Sequence, residues 1–308
     1  MSWHRNFTLF VALAALWGVA FMAIKAGLAF FPPVLFAAIR YDIAAVIMIL
    51  YAAYVTDNWI PRTRSDWTAA TVDGLFLVGA YNVFVFLGEL HVTSAVAAII
   101  VSLNPVLSTV FSRVILPDER LTVLGLFGLL VGFGGVGLVS NPDLANLFTG
   151  DTLGKLLMLL AAASFAFGSV FVQLIDDELS TEGTTGWACL VGAVMLHATS
   201  LGLGESFGSI EWTVQGITAL AYLVVGSSAV GYFIYFDLLD RLGPIEINLV
   251  SYVAPVFAAV SGWLVLDEQI GSVTIGGFVL IFVGFVLIKR EAIAEEFPRM
   301  QRSVERIR

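Results

Sequence analysis

The sequence predicts an all-α integral membrane protein of ten transmembrane helices, built from two inverted five-helix repeats. Three observations predict it. Hydrophobic residues make up 59% of the 308 residues and charged residues 13%, and the mean hydropathy is +0.93. That leaves too little polar surface for a soluble fold of this size. Ten stretches reach or approach the ~20 apolar residues needed to cross the hydrocarbon core of a bilayer. Several short motifs also occur twice, at an offset near 149 residues.

The spans follow in order. The first covers Phe7–Ala29 and stops at Phe31-Pro32-Pro33. It is too long for a signal-peptide core and lacks a small-residue cleavage site followed by a soluble domain. The second covers Val34–Val55. The third, Ala69–Gly88, and the fourth, Val92–Leu116, flank a short turn with Glu89 and His91, both read as solvated loop residues. The fifth, Leu121–Ser140, follows Asp118-Glu119 and ends at Asn141-Pro142-Asp143. The sixth, seventh and eighth cover Thr152–Ile175, Thr184–Leu203 and Val214–Leu238. The ninth, Pro244–Leu266, follows the break Leu242-Gly243-Pro244, and the tenth, Ser272–Lys289, follows Asp267-Glu268. Pro, Gly, Asn and Asp in these short connections are the usual chain breakers. The runs are continuously apolar and do not alternate, which excludes a transmembrane β-barrel.

Basic residues set the orientation. With the N-terminus in the cytoplasm, internal loops and tails hold 12 of the 15 Lys and Arg, six of them outside the basic tail 290–308 and its flanking Lys289. Lys25, Arg40 and Lys155 lie inside or at the ends of spans. The loop Asp176–Thr185 runs against the pattern, being internal yet acidic. Both termini are therefore expected in the cytoplasm, in a multi-pass protein of the cytoplasmic membrane.

Pro105 in "VSLNPVLSTV" aligns with Pro255 in "VSYVAPVFAAV". Downstream, Asp118-Glu119 matches Asp267-Glu268. From each Glu a glycine follows at +9 (Gly128, Gly277) and another at +16 (Gly135, Gly284). "LWGVAFMAIK" lines up loosely with "SFAFGSVFVQ". Five spans per half is an odd number, so the halves 7–140 and 152–289 are expected to be inverted, as in secondary transporters.

Together, Leu16-Trp17-Gly18, Arg40 in "AAIRYDIAA", the paired prolines, the Asp-Glu pairs and the glycine-rich fifth and tenth spans resemble the EamA-type members of the drug/metabolite transporter superfamily. The resemblance covers about Phe7–Ser140 and Thr152–Lys289. It implies a transporter of small organic solutes, commonly metabolites or amino acids leaving the cell. It also implies a central cavity lined by spans 1, 3, 4, 6, 8 and 9, with spans 5 and 10 as scaffold. The second half departs from the first, with Ala166 in place of Gly18 and Gln173 in place of Lys25.

Uncharged polar and aromatic residues on those spans are the candidates for holding a solute: Trp17, Tyr81, Asn82, Ser102, Asn104, Ser164, Ser169, Gln173, Tyr232, Tyr235, Asn248, Ser251 and Tyr252. Asn, Ser and Tyr can bind a zwitterion or sugar without burying a net charge, and aromatic rings can stack on an apolar group. Hydrogen bonding between helices is the simpler use of any one of them. Pro105 and Pro255 each remove a backbone hydrogen bond near mid-span, and are read as hinges or packed kinks. Among intramembrane charges, Lys25 is expected to snorkel to the interface. Arg40 is expected to pair with Asp42 or another helix, or to touch substrate. Glu246 is read as a helix-start carboxylate. Asp118-Glu119 and Asp267-Glu268 are read as caps on the helices that follow them. Gly128 and Gly132 form a GxxxG, which allows close helix packing within a monomer or against a second subunit of a homodimer.

Other functions are disfavoured. One cysteine, Cys189, excludes an internal disulfide. The scattered His4, His91 and His197 share no metal-ligand spacing, and no metal or cofactor is expected. A membrane enzyme is the main rival, yet the chain lacks H-E-x-x-H, G-x-S-x-G and a Walker loop. A receptor or assembly protein would not explain the inverted duplication. The net charge of −9 argues against nucleic-acid binding. The expected partners are a small solute, the lipid bilayer, and a proton or other coupling ion. Only 3 basic residues are Lys, and the loops are acidic. Such a surface suits high salt and suggests a halophilic prokaryote.

Overall fold

The computed structural model describes residues 2–115, 123–140, 150–243 and 247–287. Among the described residues every regular element is helical. The helices are α1 Ser2–Gly27, α2 Pro33–Val55, α3 Arg64–Gly88, α4 Ser94–Ile115, α5 Val123–Ser140, α6 Gly150–Leu174, α7 Thr181–Gly202, α8 Val214–Leu242, α9 Val250–Leu266 and α10 Ser272–Leu287. Seven helices (α1–α4 and α6–α8) are long and apolar enough to cross a membrane. The apolar stretches of α5, α9 and α10 are shorter.

Most boundaries fall within a few residues of the expected ones, but α3 and α7 begin earlier. Thr63 and Asp66 form a capping box at the start of α3, and the Ser180 hydroxyl accepts from Gly183 at the start of α7. These caps hold polar first turns helical, where hydropathy alone sees loop.

Helix α2 packs mainly on α7, α1 on α9, α3 on both α6 and α7, and α4 on α6. The Gly18–Ala254 approach is so close that a Cβ on Gly18 would sit 2.3 Å from the Ala254 carbonyl oxygen. Helices α5 and α10 cross backbone to backbone. A Cβ on Gly135 would lie 2.6 Å from the Gly277 carbonyl oxygen, and one on Gly284 would lie 2.6 Å from that of Gly128.

Loops clasp across the halves. The Glu205 carboxylate accepts from the backbone of Val34 and Leu35 at the start of α2. Glu211 N–H donates to the Phe30 carbonyl. At the other end Asp66 accepts from Glu178 N–H, and Ser65 donates to the Asp176 carbonyl. The acidic loop before α7 is thus tied to the first turn of α3.

Two features differ from expectation. First, the prolines are not equivalent. Helix α4 is interrupted by a turn at Ser102 and Leu103, and Pro105 sits in the first turn of its second piece, where a missing N–H costs little. Helix α9 runs through Pro255 without a break. Second, α3 and α8 contain π-helical segments, Gly74–Ala80 and Tyr222–Val230. Proline leaves a sequence mark and a π segment does not. Asp118-Glu119, Glu246 and the tail 290–308 lie outside the described residues.

Candidate substrate site

The π segments organise the centre. A π turn shifts the backbone bonding register and leaves carbonyls open to a side-chain donor as well. In α8, the Ser227 carbonyl accepts from the Trp17 indole of α1 at 3.2 Å. In α3, the Phe76 carbonyl accepts from the Ser164 hydroxyl of α6 at 2.8 Å. Trp17 then lies against Tyr235 (5.6 Å between ring centroids) and edge-on to Tyr232 (6.4 Å).

From there one polar network crosses four helices. The Ser227 and Ser228 hydroxyls of α8 each accept at 3.2 Å from the Arg40 guanidinium of α2. That guanidinium lies 4.9 Å from the Tyr41 ring centroid. The Tyr41 hydroxyl accepts from the Asn82 amide of α3 at 3.2 Å, and the same amide donates to the Val78 carbonyl. Tyr81, Tyr232 and Cys189 lie within electrostatic reach of Arg40.

The structure thus brings Trp17, Asn82, Tyr232 and Tyr235 together. Tyr41, Ser227 and Ser228 join them without having been singled out from the sequence. The one available signal was the polar pair inside the apolar run "LVVGSSAV". Tyr81 is set edge-on against Phe165 of α6.

Other candidates lie elsewhere. Ser102 is buried and donates to the Ile99 carbonyl at the α4 break. Two residues on, the Asn104 amide oxygen is buried with no hydrogen-bond partner. The Ser169 hydroxyl is 3.4 Å from that of Ser108, linking α6 to α4. The Tyr252 ring packs on Phe282 and Phe285 of α10. Asn248 is exposed and Ser251 half-buried. Helix α9 is apolar nearly all round, so its rotation could not be read from hydropathy.

Gln173 is also displaced from the network. It lines a cavity of about 310 Å³ with Asp73, Asp177, Thr181 and Thr184. This cavity opens at the end of the molecule where α6 finishes and α7 begins. One Asp73 carboxylate oxygen there is buried without a partner.

The charged residues near the opposite end are more deeply engaged than expected. Lys25 does not snorkel. Its ammonium donates to the Glu89 carbonyl (2.5 Å) and the Val92 carbonyl (3.0 Å), where a cation complements the C-terminus of α3. Glu89 is fully buried, not solvated, and neither carboxylate oxygen has a hydrogen-bond partner. His91 is exposed, as a loop residue should be. Glu268 does not cap the helix that follows it. Its carboxylate takes the Ser94 N–H and hydroxyl at the start of α4. Arg40 does not pair with Asp42, which meets His197 at 2.8 Å.

Comparison with known proteins agrees with this architecture. The profile of the EamA-like transporter family matches residues 6–141 and again 152–290. The chain is 26% identical over 292 residues to the uncharacterized transporter YvbV of Bacillus subtilis, covering 95% of this chain and 94% of that protein. It is 27% identical over 279 residues to an uncharacterized transporter of Archaeoglobus fulgidus, covering 89% and 95%. It is 28% identical over 266 residues to the uncharacterized inner membrane transporter YedA of Escherichia coli K12, covering 85% and 84%. A solved crystal structure superposes with a TM-score of 0.63 over 95% of this chain and 99% of its own, at 22% identity, which speaks to fold alone. The chain, a multi-pass helical membrane protein, belongs to the EamA-like transporter family.

Proposed function

We propose that the protein is a secondary transporter that moves a small organic metabolite, an amino acid or related solute, out of the cell by alternating access. The observation that carries this reading is the polar and aromatic network at the π segment of α8. Ser227 and Ser228 lie midway along that 29-residue helix, so the network sits at mid-membrane depth, where a two-sided site must be. Trp17, Tyr232 and Tyr235 supply faces for an apolar group. Tyr41, Asn82, Ser227 and Ser228 supply hydrogen bonds.

Ten spans in two inverted repeats, 7–140 and 152–289, are part of this reading. The paired π segments support it. So does the α5–α10 crossing, in which Gly128 meets Gly284 and Gly135 meets Gly277. Swapping the halves exchanges one pair for the other. The loop clasps and the Trp17 and Ser164 bonds are also related in this way. The break in α4 beside Pro105 serves as one hinge, and Asn104 offers an acceptor at it. The distribution of basic residues supports a cytoplasmic location for both termini. The cavity beside Gln173 and Asp73 is then a vestibule facing the cytoplasm, and a proton is the candidate coupling ion.

The test is counterflow in proteoliposomes of the purified full chain, preloaded with a panel of amino acids and related metabolites. The reading expects accelerated exchange of at least one solute over empty liposomes. Exchange of none across a broad panel would overturn it.

A further inference from the structure

The geometry points to Arg40 as the subsite for a single carboxylate on the transported solute. This rests on the transport reading and names the chemistry of its site. Arg40 is 7% exposed, and its side chain ends against Ser227 and Ser228 at mid-membrane depth. A guanidinium keeps its charge at any physiological pH and carries five N–H donors. Here two neutral hydroxyls take Nε and one terminal nitrogen. Among the described residues no carboxylate forms a salt bridge with it. Asp42 meets His197, and Glu89 lies beside Lys25.

A buried cation whose partners are two hydroxyls and the face of the Tyr41 ring has no counter-charge among them. Desolvation penalises the charge, and neutral acceptors do not neutralise it. An arriving anion does. The planar guanidinium matches a carboxylate through parallel N–H···O bonds. The hydroxyls of Ser227 and Ser228 hold the guanidinium in place, so the anion meets a pre-oriented donor set.

The charge count selects the anion. Arg40 is the one cation in the network described, and Lys25 is engaged with the Glu89 and Val92 carbonyls. One positive charge matches a monoanion. A phosphate dianion would call for a second basic group. The rings of Tyr41 and Tyr232 near the guanidinium, with Trp17 beside Tyr232, suit a solute whose remainder is apolar or aromatic.

The experiment uses counterflow in proteoliposomes with matched probes. Phenylalanine is compared with phenylalaninamide, leucine with leucinamide, and phenylacetate with phenylacetamide, with glucose and putrescine as solutes lacking a carboxylate. Wild-type protein should exchange at least one carboxylate. Its amide should compete at least about tenfold more weakly, as expected for a buried charged contact. Arg40→Gln should bring that ratio to within about twofold, and Arg40→Lys should keep part of the discrimination. If Arg40→Gln does not fold, the Ser227→Ala/Ser228→Ala double variant should also narrow the ratio, because it frees the guanidinium. Preferred exchange of glucose, putrescine or an amide, unaltered by Arg40→Gln, would overturn the carboxylate assignment and leave the transport reading standing. Exchange of no solute at all would overturn both.

Discussion

Each carboxylate oxygen of Glu268 lies 3.0 Å from the backbone nitrogen of Ser94, so a residue from the turn between α9 and α10 caps α4. The Ser94 hydroxyl also donates to Glu268. Asp267 makes this reach possible: it closes α9 in a left-handed conformation, φ 54°, which turns the chain sharply. Glu268→Ala should therefore loosen α4 from the opposite half. The expected loss is about 1–2 kcal/mol, the scale of a charged N-terminal cap. Glu268→Gln should lose less, because the amide oxygen still accepts. Thermal unfolding in detergent reads both. An unchanged melting temperature for Glu268→Ala would show that the contact contributes nothing.

The glycines of α5 and α10 should separate into two classes. A methyl group on Gly277 or Gly284 would press on the backbone of α5 at 2.7 Å or less. Gly277→Ala and Gly284→Ala should lower thermal stability. Gly134→Ala and Gly137→Ala should not, since a Cβ there meets nothing within 4 Å, and Ala favours the helix by up to about 1 kcal/mol. Gly132→Ala should be tolerated as well, its nearest contact being Val106 at 3.6 Å. Equal losses at all five positions would mean the crossing is looser than described.

These glycines show what sequence alone conveys. Their abundance in two spans marked α5 and α10 as closely packed, because few other uses call for so much small surface in a membrane helix. Which of them face the partner was hidden, since an all-apolar helix has no polar stripe to fix its rotation. The same ambiguity put Tyr252 among the site residues, although its ring faces α10. Seven spans were legible because the bilayer demands long apolar runs. The π segments of α3 and α8 were not, because one extra residue in a turn leaves no change in composition. Arg40 was visible as an intramembrane charge, but its partners Ser227 and Ser228 lie in the other half of the chain, where only packing reveals them.

Glu89 should make stability fall as pH rises. Burial holds its carboxyl above the ordinary range. The Lys25 ammonium opposes that in part, and the Glu268 charge adds to it. A carboxyl raised in the folded state binds its proton more tightly there than in the unfolded chain. Its contribution is therefore fully present below the ordinary carboxylate pKa and is lost as pH climbs through the raised value. Melting temperature followed from about pH 5 to about pH 8 should decline more steeply for the wild type than for Glu89→Gln, which cannot titrate. Parallel curves would show that Glu89 ionises no differently in the folded and unfolded protein.

The last expectation concerns the break in α4. Pro105 has no N–H to offer the Val101 carbonyl, and the helix turns at Ser102 and Leu103 just before it. Pro105→Ala restores that donor, so the two pieces of α4 can join into one rod. If rocking of the halves flexes α4 at this point, a continuous helix resists it. One recovered backbone hydrogen bond is worth about 1 kcal/mol, which slows interconversion by roughly fivefold. Turnover in counterflow should drop by that order while the half-saturating solute concentration stays nearly constant, because a hinge acts on the exchange between states and not on the site. Pro255→Ala should do less, since α9 is already continuous there. Asn104→Leu should cut transport with little loss of folding, as it removes a buried amide oxygen that has no partner of its own. Tyr252→Ala should instead cost stability, by about 3–5 kcal/mol as for other buried aromatic truncations. Wild-type turnover in Pro105→Ala, at equal reconstituted protein, would place the moving part of the transporter outside α4.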